Sequence, residues 1–246
     1  MNIGYFGDSY VDLIWHHYAD YHNGKIPRER KPWSLRLLED TKSPIISSGL
    51  GGSNQFYAIN RWMEVQESNQ KLDYAIWTFT WFDRLYNRDI NWQEVLSADA
   101  ERRDAKVTDV EEIKESVALY YKYLYSEEQL KFQYELMMRW CFELAEQYPE
   151  IKFIFLPNTE FARLIAPKHF KNGVLVDFAF ETLSNLETDS PGVMPVDCGR
   201  PGHLNDINHE LMNKFIRDII VNYEEYRNQT IPFDYTSFDT KSLQMP

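Results

Sequence analysis

Residues 72–82, LDYAIWTFTWF, are apolar at nearly every position, rich in aromatic and β-branched side chains, and show no polar alternation. Such a run needs cover on both faces, as an interior strand of a parallel sheet has and a hairpin strand with one wet side does not. Parallel strands need long crossovers, so the flanking sequence must alternate between strand and helix patterns. It does. NIGYF predicts a first short strand, and after a tight turn YVDLIWHHYADYH carries Val11, Ile14, Trp15 and Tyr18 at helical spacing. SPIISSGLGGSNQFYAINRWMEV repeats the arrangement, with a strand from Pro44 to Ser47, a glycine turn, and a helical face marked by Phe56, Ile59, Trp62 and Met63. SEEQLKFQYELMMRWCFELAEQYPE predicts a long amphipathic helix with Ser126 as N-cap, Gln129 as its capping-box partner and Pro149 as its stop. IKFIFLPN is a further strand, ending at Pro157 and Asn158, and VMPVD a last short one before a final helix marked by Leu211, Phe215, Ile219 and Ile220.

The 246 residues, 43% of them hydrophobic, suffice for one substantial core, and no Pro/Gly/Ser-rich linker divides them. The expected layout is a single domain over 1–227, with a charged, partly helical insertion at 84–125. Residues 228–246 read as a polar tail that packs loosely or meets a partner. A formal charge of −12 argues against a nucleic-acid footprint, which needs a basic stripe. Cys141 and Cys198 fit neither a disulfide framework nor a metal spacing, so a reducing compartment is expected, with Cys141 as a buried thiol on a helix. No segment has the length and apolarity of a membrane span, and the N-terminus lacks the pattern of a secretory signal, so the expected location is cytoplasmic.

Ligands of an open parallel sheet bind beyond the carboxyl ends of the strands. Ser9, Gly49, Gly51, Gly52, Asp83 and His203 are all predicted to fall there. Ser9 follows the first strand in FGDSY, where a base would make it a nucleophile and its own N–H would face an oxyanion; taken alone, it reads as a helix N-cap. The glycines of SSGLGGSN let backbone N–H groups approach an anion, but Ser53 and Asn54 follow where a phosphate loop requires lysine. His203 precedes the last helix, with Asp206 as a candidate cap and His209 one helical stretch further on, and an imidazole suits proton exchange near neutral pH. His16, His17 and His22 have poor spacing for a shared metal and read as a solvated helix face. Trp62, Trp77 and Trp140 read as core, although the 7 Trp, 16 Tyr and 15 Phe are also what a sugar-stacking platform would use. Asp8 and Asp83 as a glycosidase pair are the weaker reading, since nothing fixes their separation.

In order and spacing these stretches resemble the SGNH hydrolases, or GDSL-type esterases, over residues 2 to about 225 outside the insertion. FGDSY is similar to the first block, with Ser9 as nucleophile and Asp8 beside it. IISSGLGGSN is similar to the second, with Gly52, or in another alignment Gly51, supplying an oxyanion-hole N–H, and Asn54 close behind. AIWTFTWFDR corresponds to the third, where Asp83 matches but Thr80 and Phe82 stand in place of the family's glycine and asparagine. Thr78, Thr80 or Arg84 would replace the missing donor, a substitution similar to phage-type members, which makes virion association an alternative location. GHLNDINHELM is similar to the last block, with His203 as base; Arg200 occupies the family's aspartate position and Asp197 is the nearest acid. The resemblance implies a flavodoxin-like three-layer α/β/α sandwich with a mostly parallel central sheet, and a Ser9–His203 dyad or a triad completed by Asp197. It implies no metal or organic cofactor. The expected function is removal of acetyl or another small acyl group from a carbohydrate or small-molecule ester. The alternatives are acyl transfer by the same residues and a carbohydrate-binding or structural protein without turnover.

Overall fold

Successive side chains of a strand point to opposite faces, so a strand apolar at every position needs two cores, and this chain builds two. The computed structural model describes residues 1–13, 31–50, 53–79, 115, 119, 122–157, 159–177, 204, 206–234 and 236, with the side chains of Ser9 and Asp206 excepted. Among them six strands form one parallel sheet: β1 (Ile3–Phe6), β2 (Ile45–Ser47), β3 (Tyr74–Phe79), β4 (Lys152–Pro157), β5 (Val174–Asp177) and β6 (Gln229–Pro232). Their order is β2-β1-β3-β4-β5-β6, and every pairing is parallel.

Helices cover both faces, giving three layers. On one face α1 (Trp33–Thr41) and α5 (Asp206–Val221) pack Leu37, Leu38, Met212 and Ile216 over Tyr5 and Ile76. On the other, α2 (Gln55–Glu67), α3 (Glu127–Gln147) and α4 (Glu160–His169) set Trp62, Met138, Phe142 and Ala166 against Trp77 and Phe155. In β3 the alternation is direct: Tyr74 and Ile76 belong to the first core, Ala75, Trp77 and Phe79 to the second. All six residues of this strand are buried, as the run at 72–82 requires. A four-residue α6 (Tyr223–Tyr226) leads into β6.

Local signals set the helix ends. Ser126 accepts a hydrogen bond from Gln129 N at 3.3 Å, and α3 stops at Gln147, two residues before Pro149. Thr159, only 2% exposed, accepts from Ala162 N at 3.1 Å at the start of α4. Thr159→Ala is expected to cost about 1 kcal/mol, read as a lowered urea midpoint at constant slope. Cys141 is a free, buried thiol, and burial raises its pKa well above the ordinary range.

The structure departs from several expectations. The helix expected directly after Ser9 is a three-residue 3-10 turn, Ser9–Val11, and Asp12 has already returned to extended geometry; residues 14–30 lie outside the described set. In α2, Phe56 and Met63 face solvent, while Ala58, Trp62 and Val65 form the buried side. Residues 229–232, within the segment expected to be a loose tail, form β6 at the sheet edge beside β5. The strand expected at VMPVD and most of the insertion at 84–125 lie outside the described residues.

Candidate active site

The strand order reverses at β1: the chain passes from β1 to β2 on one side, then crosses back to β3 on the other. The carboxyl ends of β1 and β3 are therefore the switch point, the place at which ligands of such sheets bind. Ser9 stands at that point, three residues past the end of β1.

The turn that carries it is held from several sides. Asp8 is fully buried; its Oδ1 accepts from Tyr10 N at 3.3 Å and its carbonyl from Val11 N at 3.1 Å. Gly7 O accepts from Leu50 N at 3.1 Å and from Ser53 Oγ at 3.2 Å, and Gly49 N donates to Val11 O at 3.1 Å. Ser48 Oγ accepts from Leu13 N at 3.1 Å. The loops after β1 and β2 are thus one hydrogen-bonded unit. Gly49 has no room for a side chain, because a β-carbon there would lie 2.4 Å from Asp8 O. Asn54, 6% exposed, opens α2 by accepting from Tyr57 N at 3.3 Å. The phenol of Tyr57 donates to Ser48 O at 3.4 Å, and burial above all pushes its pKa up to about 12, so it stays a neutral donor.

On the β3 side, Gly7 meets Thr78. A β-carbon on Gly7 would lie 1.8 Å from Thr78 Oγ1, so the hydroxyl rests against the glycine backbone. The residue after His203, Leu204, is 2% exposed and belongs to the core cluster that also contains Val11, Leu13 and Trp33. The chain therefore enters α5 from the core that underlies the Ser9 turn. Within α5, His209 Nδ1 accepts from Trp33 N at 3.2 Å, so this histidine caps α1 and that ring nitrogen carries no proton.

Of the residues singled out in the sequence, the structure joins Asp8, the Ser9 backbone and Asn54 in one loop unit. His203, Asp197, Gly51, Gly52, Thr80, Asp83 and Arg84 lie outside the described residues, as do His16, His17 and His22. Asp8, a candidate site residue, acts as the cap of the turn. The ties made by Ser48 and Ser53 had no sequence signal beyond their place in a Gly/Ser-rich turn. Among the described residues no group of three or more His, Cys, Asp or Glu side chains is placed to hold a metal ion, and no helix is long and apolar enough to cross a membrane. No protein-family model, curated protein or solved structure matches the chain.

Proposed function

We propose that this protein is a serine esterase of SGNH type that removes acetyl or other small acyl groups from a carbohydrate. The observation that carries the reading is the place of Ser9: a serine on a tight turn at the switch point of a parallel sheet, backed by a buried carboxylate and tied to a glycine turn. A nucleophile must project from rigid backbone beside N–H donors already aimed at a developing oxyanion, and a strand-to-turn junction provides this.

In this mechanism Ser9 Oγ attacks the ester carbonyl carbon while His203 takes its proton. The N–H groups of Ser9 and of Gly52 or Gly51 face the tetrahedral oxygen. Collapse breaks the bond to the sugar oxygen, which receives the proton from His203, and leaves an acyl group on Ser9. Water, deprotonated by the same imidazole, then releases the acid and restores the serine. Asp197 or a backbone carbonyl holds the far ring nitrogen. Acyl transfer differs only in the acceptor, a sugar hydroxyl in place of water, and dependence of turnover on added sugar separates the two. A binding protein without turnover is favoured by two sequence observations, Phe82 in the place of the oxyanion-hole asparagine and Arg200 in the place of the acid before the histidine.

The test is a fluorophosphonate probe followed by intact mass and peptide mapping, beside hydrolysis of p-nitrophenyl acetate and acetate release from acetylated glycans. A single adduct on Ser9 with matching loss of turnover is the expected result. A folded protein that neither reacts nor hydrolyses, yet retains acetylated glycans on a column, supports the binding reading instead.

A further inference from the structure

Leu50 and Ser53 bracket Gly51 and Gly52 in the sequence, and both donate to the carbonyl of Gly7. Leu50 N does so at 3.1 Å and Ser53 Oγ at 3.2 Å, while Ser53 N donates to Leu50 O at 3.0 Å. The bracket is therefore closed on itself and clamped at both ends on one oxygen. Ser53 is 2% exposed, and an alanine would fill such a position without a polar atom to bury. Nor does Gly7 O need the hydroxyl to escape isolation, because Leu50 N already serves it. What the second bond adds is direction.

That direction reaches Ser9 through two successive peptide planes. The Gly7 carbonyl fixes the plane that leads into Asp8, and Asp8 O, held by Val11 N at 3.1 Å, fixes the plane that leads into Ser9. Across a planar trans peptide the N–H points opposite to the preceding carbonyl, so the Ser9 N–H is aimed away from the Val11 side of the turn. Resting on the serine-esterase reading, we infer that Ser53 is a positioning residue. Its hydroxyl sets the spacing between the loop that carries Gly51 and Gly52 and the backbone of Ser9, the two sources of N–H donors to the oxyanion. It is buried and acts through Gly7, without touching substrate.

The experiment compares Ser53→Ala and Ser53→Thr with the wild type and with Tyr223→Phe, in p-nitrophenyl acetate kinetics and in melting temperature. Tyr223 is the control because it makes a bond of the same kind, buried hydroxyl to backbone carbonyl at 3.2 Å, on Phe153 near the opposite end of the sheet. Ser53→Ala and Tyr223→Phe are both expected to melt about 2–4 °C lower, the scale of one hydrogen bond in a chain of this length. Only Ser53→Ala is expected to lose kcat, about tenfold, with KM within about twofold of the wild type, as for a loss confined to the transition state. Ser53→Thr retains the hydroxyl and should recover kcat to within about threefold. An alanine variant as active as the wild type overturns the inference. So does an equal loss of kcat in Ser53→Ala and Tyr223→Phe, which marks general loosening. A threonine variant with the wild-type melting temperature that is nonetheless as slow as alanine overturns it too. A wild type that neither hydrolyses the ester nor takes up a fluorophosphonate removes the esterase reading and this inference with it, a result distinct from the other three.

Discussion

Ser9→Ala is expected to reduce the hydrolysis of p-nitrophenyl acetate by about three orders of magnitude or more, and His203→Ala by a similar factor. In the proposed mechanism each substitution removes a member of a unit that acts together, so the double variant should be no slower than the slower single one. That non-additivity is the informative part, because two independent contributions would multiply. Initial rates on all four proteins, with far-ultraviolet circular dichroism showing an intact fold, make the comparison. The backbone hydrogen bonds that hold the Ser9 turn run through Asp8, Gly7 and Gly49, so the alanine variant keeps its scaffold. Turnover that survives in Ser9→Ala would place the activity elsewhere in the chain.

Trp62→Ala is expected to be the most damaging substitution in the second core. Its ring centroid lies 5.3 Å from Phe6, 6.0 Å from Trp77, 5.3 Å from Tyr148 and 5.4 Å from Phe153, so one side chain from α2 binds three strands and the end of α3. Removing a buried indole costs about 3–5 kcal/mol through lost transfer energy and the cavity left behind. In a chain of this length that is roughly 6–20 °C in melting temperature, read by scanning calorimetry. Phe6 and Trp77 are the residues directly before Gly7 and Thr78. The cavity would therefore loosen the ends of β1 and β3 together, and the proposed esterase activity should fall at temperatures where the protein is still folded. Trp62→Phe leaves an aromatic ring in place and should lose less than half as much.

What could be read in advance was what is encoded locally. The residues of β3 announce their burial because every one is apolar or small, and Ser126 announces a helix start because its partner is three residues away. The alternation of these patterns carried the parallel class and the places of β1, β2, β3, β4, α2, α3 and α5. α1 was hidden because its buried side includes Ser34 and Arg36, which break an apolar stripe. Arg36 is tolerated there because it donates to Lys31 O at 2.7 Å and pairs with Glu210 at 3.1 Å, and that second partner lies 174 residues away. β5 is only four residues long, and β6 has polar Gln229 and Thr230 because it is an edge. Phe56 and Met63 have the spacing of a core face, but tertiary packing turned the helix toward Ala58 and Val65 instead.

The site divides in the same way. GDS after an apolar run marked the Ser9 turn, an adjacent-residue signal, whereas Asn54, singled out as a site candidate, proves to be the cap that opens α2. The bond from Ser53 Oγ to Gly7 O spans 46 residues, and the contact of Thr78 with Gly7 depends on strand register. Neither distance nor register is written in a short motif. Asp8 was legible as a residue of interest, but its task as a buried cap became clear only with the turn in place.

The position of β6 has a consequence for how the chain is made. Translation proceeds at about 5–20 residues per second and domains form from the N-terminal side first. β1, β2, β3 and the glycine turn lie within the first 79 residues, so the serine-bearing loops can meet early, in local company. Among the described residues, β5 has no neighbour on its far side until residues 229–232 arrive, 55 residues after its own partner positions. During that interval the nascent molecule presents an open, hydrophobic Val-Leu-Val edge, the kind of template that invites pairing with another chain. Its period of greatest exposure to aggregation is therefore set by ribosome speed across the last helices, and slow codons in that stretch would prolong it.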